Sequence, residues 1–539
     1  VCAVAAGLVA GAFNPAPHTG GDNAAYLTLA YSLLQDGRYT ELFDPAGLPH
    51  TKYPPVFPAL LALLMALGFR TWVAFKSVAA VATVAAAAFT YLWAERRLGP
   101  SWAAGVALLL AGSSAVVYYS HWILSDPLFL ALTMMSLWAL DRGDEEGAPP
   151  GWLVLGVVGA ALAYFTRSAG LPLVVAVLAW LAIRRRWRPL AAAAAGMGLP
   201  MALWMLRARG AGQGEYVSEF WLVDPYDPSL GRVGLGGLVG RVGDNLVGYV
   251  GTHLPAGMVG SQGAVVTLLG VVLVLGALAG WALRLRARPG PAEIFLPLYA
   301  GLILLWPVVW SGDRFVLPLY PLLFLYAAGA LHRALRARAR VMLTAAGAGA
   351  FCVVFLPSLG SWTRAAADAS QCGALVRRSG PFACYGPGVE AFVQAAGWAG
   401  ANLPEGASVL TRKPRLFYVL SGVPSRTFPF SDDPAEHLRL ADAVGSRYEM
   451  FDQWDGLAGR YVAGAVQRQP EAFCAIGGFG VDGATQILGI VPAERGGGGG
   501  TGPADVRIAA CPPSYTTATP GQAYAPSSSR VPFLDRLRP

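Results

Sequence analysis

Apolar runs of roughly 16 to 25 residues recur from the start of the chain to about residue 358, each long enough to cross a hydrocarbon layer of about 30 Å as a helix. They predict about eleven spans, at 1–13, 70–94, 102–120, 123–140, 152–166, 168–183, 189–206, 262–283, 293–310, 314–331 and 341–358. The first has no start Met and no charged flank, and reads as part of a longer helix. A further apolar stretch at 54–68, about 15 residues opened by two prolines, is short for a crossing and reads as an interfacial or re-entrant helix. Beyond 358, turn residues, charges and short β-branched runs take over. They predict strands at 407–411, 447–452, 473–479 and 485–491 and helices at 434–445 and 456–467, a small α/β domain. The expected fold is thus a polytopic α-helical membrane protein, a transmembrane domain over 1–358 with an exterior soluble α/β domain over 359–539. Gly496 to Gly500 read as a linker, and the Pro/Ser-rich stretch after Pro512 as a disordered tail.

Composition excludes an ordinary soluble enzyme: 55% of the 539 residues are hydrophobic and only 13% charged, and mean hydropathy is +0.47. A net charge of +8 raises the question of nucleic acid. The arginines answer it, because they gather in alternate short links: Arg96 and Arg97, Arg142, Arg184 to Arg188, Arg284 to Arg288, and Arg333 to Arg340. The positive-inside rule puts those links in the cytoplasm, and so places 14–69, 207–261 and everything after 358 on the non-cytoplasmic side of a cell membrane. Of six cysteines, Cys2 and Cys352 fall in spans and read as small core residues. The other four permit two disulfides in an oxidising compartment, with Cys372–Cys384 and Cys474–Cys511 the preferred of three pairings. No metal-ligand cluster, P-loop or dinucleotide fingerprint occurs, and no cofactor is expected, a divalent metal not being excluded.

Candidate chemistry lies in the exterior links. In the first, Gly20 and Gly21 precede Asp22 and a segment with Tyr26, Leu29, Ala30 and Leu33 on one helical face. Asp22 is either that helix's N-cap or a general base. Lys52 and Tyr53 precede Pro54-Pro55, so the ammonium either snorkels or is aimed at a lipid phosphate. Asp126 follows Ser125, with His121 a turn earlier, and N-capping would account for it. Arg167, between two short spans, and Arg314, beside Asp313, stand at outward ends where the positive-inside rule supplies no reason for them. Snorkelling and a local Asp313 ion pair compete there with phosphate or carboxylate binding.

Taken in order, GGD with its helix, TKYPP, SDP, TRSAG and DRFVLPLYP resemble the GT-C superfamily of membrane glycosyltransferases, and within it the bacterial branch of protein mannosyltransferases and aminoarabinose transferases. The resemblance covers most of the chain. It implies Asp22 as catalytic base, Lys52 and Arg314 as contacts to the carrier phosphate, and Asp126 as the acid near the third-to-fourth span link. Arg167 matches only the local pattern and joins the phosphate set on chemistry; His121, Tyr53 and Asn23 are possible supporting residues. Asn23 stands where many members have a second acid, which argues against a metal site.

The implied reaction moves a sugar from a polyprenyl-phosphate donor to a glycan, lipid or protein acceptor by inverting displacement on the non-cytoplasmic face. A transporter or flippase of a lipid-linked or envelope substrate is the alternative, disfavoured by long exterior loops and few ionisable residues in mid-span. A non-catalytic membrane scaffold is a third. The polar stretch from Asp224 to Asp227 in the 207–261 loop reads as shaping the acceptor side, or simply as turns.

Overall fold

The computed structural model describes residues 1–210, 215–335, 340–491 and 508–517. Each predicted span corresponds to helix, with informative differences at the ends. By length and composition, four described helices can cross a membrane: Trp72–Leu98, Trp187–Arg209, Ala264–Ala287 and Thr344–Ser379. Shorter apolar helices pack beside them, among them Cys2–Gly11, Pro150–Thr166 and Pro291–Leu304. The 102–120 run divides at Ser113 into Pro100–Gly112 and Ser114–Tyr119. The run expected at 314–331 begins later, as Tyr320–Leu335. Pro318 and Pro321 carry no amide proton, so the chain before them turns as a 3₁₀ segment, Asp313–Val316.

The last span was expected to stop at 358, the proposed domain boundary, but the helix Arg340–Ser379 runs on for about six turns. The extension is rich in Ala and Arg, good helix formers, and its end is tied to the next turn by the Cys372–Cys384 disulfide. The second expected disulfide, Cys474–Cys511, is also present. Cys2 and Cys352 are free but exposed rather than core residues.

The long links at 14–69 and 207–261 carry helices of their own. Helices Gly21–Asp36 and Val56–Ala66 fill the first link. The former is not amphipathic at its start, since every residue from Asn23 to Ala30 is buried. The 207–261 link carries Glu215–Phe220, Leu235–Gly248 and Leu254–Val259.

The C-terminal part forms a five-stranded sheet of β1 (Val409–Leu410), β2 (Ser425–Arg426), β3 (Tyr448–Phe451), β4 (Phe473–Phe479) and β5 (Thr485–Ile490), in the order β2-β1-β3-β5-β4. β1 pairs in parallel with β2 and β3, while β5 lies antiparallel between β3 and β4. β2 had no sequence signal, being two residues long. Pro513–Tyr515, expected in the tail, is a 3₁₀ turn whose Tyr515 is buried and accepts at its carbonyl from Tyr448. The Gly496 to Gly500 run and the rest of the tail lie outside the described residues.

One apolar cluster runs through Tyr26, Phe57, Leu61 and Trp72 of the membrane part and Phe392, Leu416 and Met450 of the sheet domain. Backbone adds to it, with Ser425 N–H donating to the Phe43 carbonyl at 2.6 Å. The sheet domain is therefore seated on the first long link, and the segment entering the helix Pro414–Ser421 lines the same cavity as Asp22.

Candidate functional site

A cavity of about 910 Å³ lies between the membrane part and the sheet domain, and it collects Asp22, Lys52, Tyr53, Arg167 and Arg314 on its walls. Asp22 is not a helix cap. Gly20 takes the N-cap position without a side-chain bond, and Asp22 sits in the first turn with its carboxylate turned aside. The Tyr53 hydroxyl donates to Oδ1 at 2.6 Å and Arg314 Nη1 to Oδ2 at 2.7 Å, while 33% of the side chain stays open. Burial would raise this carboxyl, but the Arg314 charge, the bonds from Tyr53 and Arg314, and the Arg415 charge outweigh it and hold the group well below the usual carboxylate range.

Arg314 does not pair with its neighbour Asp313, whose carboxylate instead accepts from the Tyr119 hydroxyl at 3.0 Å. Its guanidinium joins two acids: Nη1 meets Asp22, and Nε donates to Asp126 Oδ2 at 2.8 Å. Asp126 is likewise no cap, since Ser125 holds that position; its other oxygen accepts from Arg167 Nη1 at 2.6 Å. Asp126 is buried, so two arginines share one desolvated carboxylate and fix each other's position. Ser125 adds to the frame through a 2.7 Å hydroxyl contact with Tyr26.

Lys52 reaches the cavity but is engaged there: both Glu219 oxygens lie 2.9 Å from its ammonium, which also faces the Trp310 ring at 5.6 Å. Asn23 is buried behind the site, its side-chain oxygen accepting from the Ile123 amide at 2.8 Å, and it does not line the cavity. Nor does His121, which lines a separate cavity.

Sequence reasoning missed the upper wall. Arg412, Lys413, Arg415 and Arg426 of the sheet domain line the cavity, and Arg415 donates to the Tyr53 hydroxyl at 3.1 Å. The signal was present: three basic residues in four, Arg412, Lys413 and Arg415, in a region the positive-inside rule leaves unexplained. Arg412 pairs with Asp455 at 2.7 Å. Lys413 lies 5.3 Å over the Trp454 ring, and burial, then the Arg412 charge, lower its pKa. The 207–261 link closes the side: Asp227 meets Arg460 at 2.7 Å, and the Tyr226 carbonyl accepts from Tyr461 at 2.7 Å. The Asp224 to Asp227 stretch thus clasps the sheet domain while Tyr226 lines the cavity.

These side chains do not suit a divalent cation. Asp22 and Asp126 are both bridged by Arg314, whose positive charge disfavours a cation shared between them. Among the described residues no group of three or more His, Cys, Asp or Glu could hold one.

Residues 52–206 match the family of dolichyl-phosphate-mannose-protein mannosyltransferases. No curated protein sequence matches the chain. In fold it is similar to the archaeal oligosaccharyltransferase AglB from Archaeoglobus fulgidus, solved with an inhibitory peptide and a dolichol-phosphate, at a TM-score of 0.56 and 14% identity over 88% of this chain and 72% of that one. It is also similar to ArnT from Cupriavidus metallidurans bound to undecaprenyl phosphate, at 0.54 and 15% over 91% and 97% respectively. Another structure of the Archaeoglobus enzyme holds Zn and sulfate. The architecture is that of a polytopic membrane protein of GT-C fold. The family match over 52–206 lies within that shared fold.

Proposed function

We propose that this protein transfers a sugar from a polyprenyl-phosphate donor to an acceptor on the non-cytoplasmic face of the cell membrane, by a single inverting displacement. The observation that carries this reading is the Asp22 carboxylate held between Tyr53 and Arg314 on the wall of a cavity that also gathers Lys52 and Arg167. Solved proteins of the same fold hold dolichol-phosphate or undecaprenyl phosphate, the carrier chemistry this set of cations suits.

The acceptor's O–H or N–H gives its proton to Asp22 as the heteroatom forms its bond to the anomeric carbon. The bond from that carbon to the phosphate oxygen breaks, and the lipid phosphate leaves with the electron pair. Arg314 stabilises the charge developing on that oxygen, held in place by Asp126 and, across it, by Arg167. Lys52 joins them once the phosphate replaces Glu219 as its partner.

A carboxylate so strongly bonded is by itself a weak base. As the donor phosphate draws the Arg314 charge toward itself, Asp22 loses part of its stabilisation and gains basicity at the step that needs it. Replacing Asp22 with Asn keeps the shape and removes the proton acceptor. Release of free carrier phosphate by the purified, folded variant is expected to fall by about 10²- to 10⁴-fold. Activity near the wild-type rate would sink the assignment.

Tyr53 offers a finer test. Its hydrogen bond favours ionised Asp22, so Tyr53→Phe raises that pKa and moves the acid limb of kcat/KM upward by about one pH unit, equivalent to about 1.4 kcal/mol. The active form is the ionised one, so activity disappears as pH falls through the Asp22 pKa, and earlier in the variant. An unmoved limb would show that Asp22 is not the group titrating.

A further inference from the structure

The helix Leu235–Gly248 of the 207–261 link is amphipathic in the reverse sense to a helix packed on an apolar core. Leu235, Val239, Val242 and Leu246 recur at the spacing of one helical stripe, and of these Leu235 is 82% exposed, Val239 74% and Leu246 50%. Arg241 and Asn245, by contrast, are buried. Asp244 is exposed half a turn round from the apolar stripe. The helix therefore has three sides: one packed through polar side chains, one apolar and open, one polar and open.

The packed side serves dry surroundings. The Arg241 guanidinium donates to the carbonyls of Phe220 and Leu222, each at 2.7 Å, and Asn245 Nδ2 donates to those of Leu304 and Trp306 at 2.9 and 2.7 Å. Leu304 ends the apolar helix Pro291–Leu304, where carbonyls lose their intrahelical donors. Where water is excluded the protein itself must supply those donors, and this helix supplies them.

Depth agrees. Through the π-helical turn Tyr249–His253 the helix leads to the side of Ala264–Ala287, one of those able to cross a membrane. Thr267 donates to the Gly251 carbonyl at 2.8 Å, and Gly270 admits the turn, since a Cβ there would stand 2.8 Å from the Val250 carbonyl. Gly270 lies about 9 Å along the span from Ala264, the end opposite Arg284 and Arg286, at 1.5 Å per residue. The span's own exposed stripe, Val265, Leu268, Val272 and Leu275, is the kind that a hydrocarbon layer covers. The link is thus fastened to the span below the level of the layer's surface.

We infer that Leu235–Gly248 lies in the bilayer interface on the side of the Asp22 cavity, with Leu235, Val239 and Leu246 sunk among lipid acyl chains and Asp244 turned to water. The partner is the lipid surface itself, entered to a depth of about 5–10 Å, as amphipathic interfacial helices enter it. Trp306 and Trp310 line the Asp22 cavity, and the segment that holds them is tied to this helix by the Trp306 carbonyl and by Ser311, which donates to Asn245 Oδ1 at 2.6 Å. One wall of the cavity therefore rests on a lipid-seated element. Insertion of the helix is independent of sugar transfer.

The full-length protein with Cys2→Ser and Cys352→Ser, its two disulfides intact, receives Val239→Cys, Leu246→Cys or Asp244→Cys, each at an exposed position, and a nitroxide label. In phosphatidylcholine vesicles, collision of the label with oxygen, which concentrates among acyl chains, is compared with collision with a nickel chelate present on both sides in the water. The oxygen-to-nickel ratio is expected to be on the order of tenfold higher for the labels at Val239 and Leu246 than for the one at Asp244. A ratio at Val239 and Leu246 no higher than at Asp244 would overturn the proposal by placing the stripe in water. Dipolar broadening between labels of neighbouring molecules would also overturn it, by making a second copy of the chain the occupant.

Discussion

Arg314→Lys is expected to lower kcat/KM by about 10³-fold while leaving the protein folded, although the substitution keeps a positive charge at the site. Arg314 acts with two separate donors, Nη1 on Asp22 and Nε on Asp126, in the fixed fork of one guanidinium. A lysine ammonium is a single point on a flexible stem and cannot hold both carboxylates in that geometry. Two losses follow from the one change. Asp22 is no longer aimed at the acceptor, and the leaving phosphate loses an oriented donor, an effect of about 10²- to 10³-fold for each such donor. Arg167→Lys should cost less, since Arg167 acts on Arg314 through Asp126. Steady-state release of carrier phosphate, with thermal stability measured alongside, checks both. An Arg314→Lys variant within threefold of wild type would remove Arg314 from the mechanism.

That contrast marks how far the sequence could be read. The spans are legible because a bilayer demands long apolar runs, and the sheet domain because its strands and helices alternate; predicted β3, β4 and β5 lie within a residue or two of the observed ones. The cavity residues of the links were legible in two ways: Arg167 and Arg314 as charges for which the positive-inside rule gives no reason, and Asp22 and Lys52 through the order of the motifs that hold them. Their partners were not. The capping and neighbour-pair alternatives failed in the same direction, since Asp22 and Asp126 cap nothing and Arg314 ignores Asp313, because each of their bonds spans far more of the chain than a helical turn. The Arg415 to Tyr53 bond joins the two domains across 362 positions of sequence. The helix face read from Tyr26, Leu29, Ala30 and Leu33 failed for a related reason: the sheet domain covers the side that periodicity assigned to water.

A stability effect of similar character is expected at the opposite end of the membrane part. Arg97, counted in the sequence simply as one more inward-side arginine, is 7% exposed at its side chain and lies 2.7 Å from Asp141 and 2.9 Å from Glu293, with the Trp93 ring 4.4 Å away. Glu293 is fully buried; it also accepts from the Tyr326 hydroxyl at 2.8 Å and the Gly290 amide at 2.7 Å. The guanidinium therefore ties together three helices, Trp72–Leu98, Asp126–Gly143 and Pro291–Leu304, and Glu293 adds a fourth, Tyr320–Leu335, through Tyr326. Arg97→Ala leaves two carboxylates with only the more exposed Arg284, 3.9 Å from Glu293, as a counter-ion, and should destabilise the fold by about 3 kcal/mol. The penalty belongs to the stranded charges more than to the lost pair. Arg97→Met combined with Asp141→Leu and Glu293→Leu should accordingly recover most of the stability, although each change alone lowers it. Unfolding midpoints in detergent distinguish the two accounts: a triple variant no more stable than Arg97→Ala would mean that the network holds the helices by direct attraction, and the desolvation argument would fail.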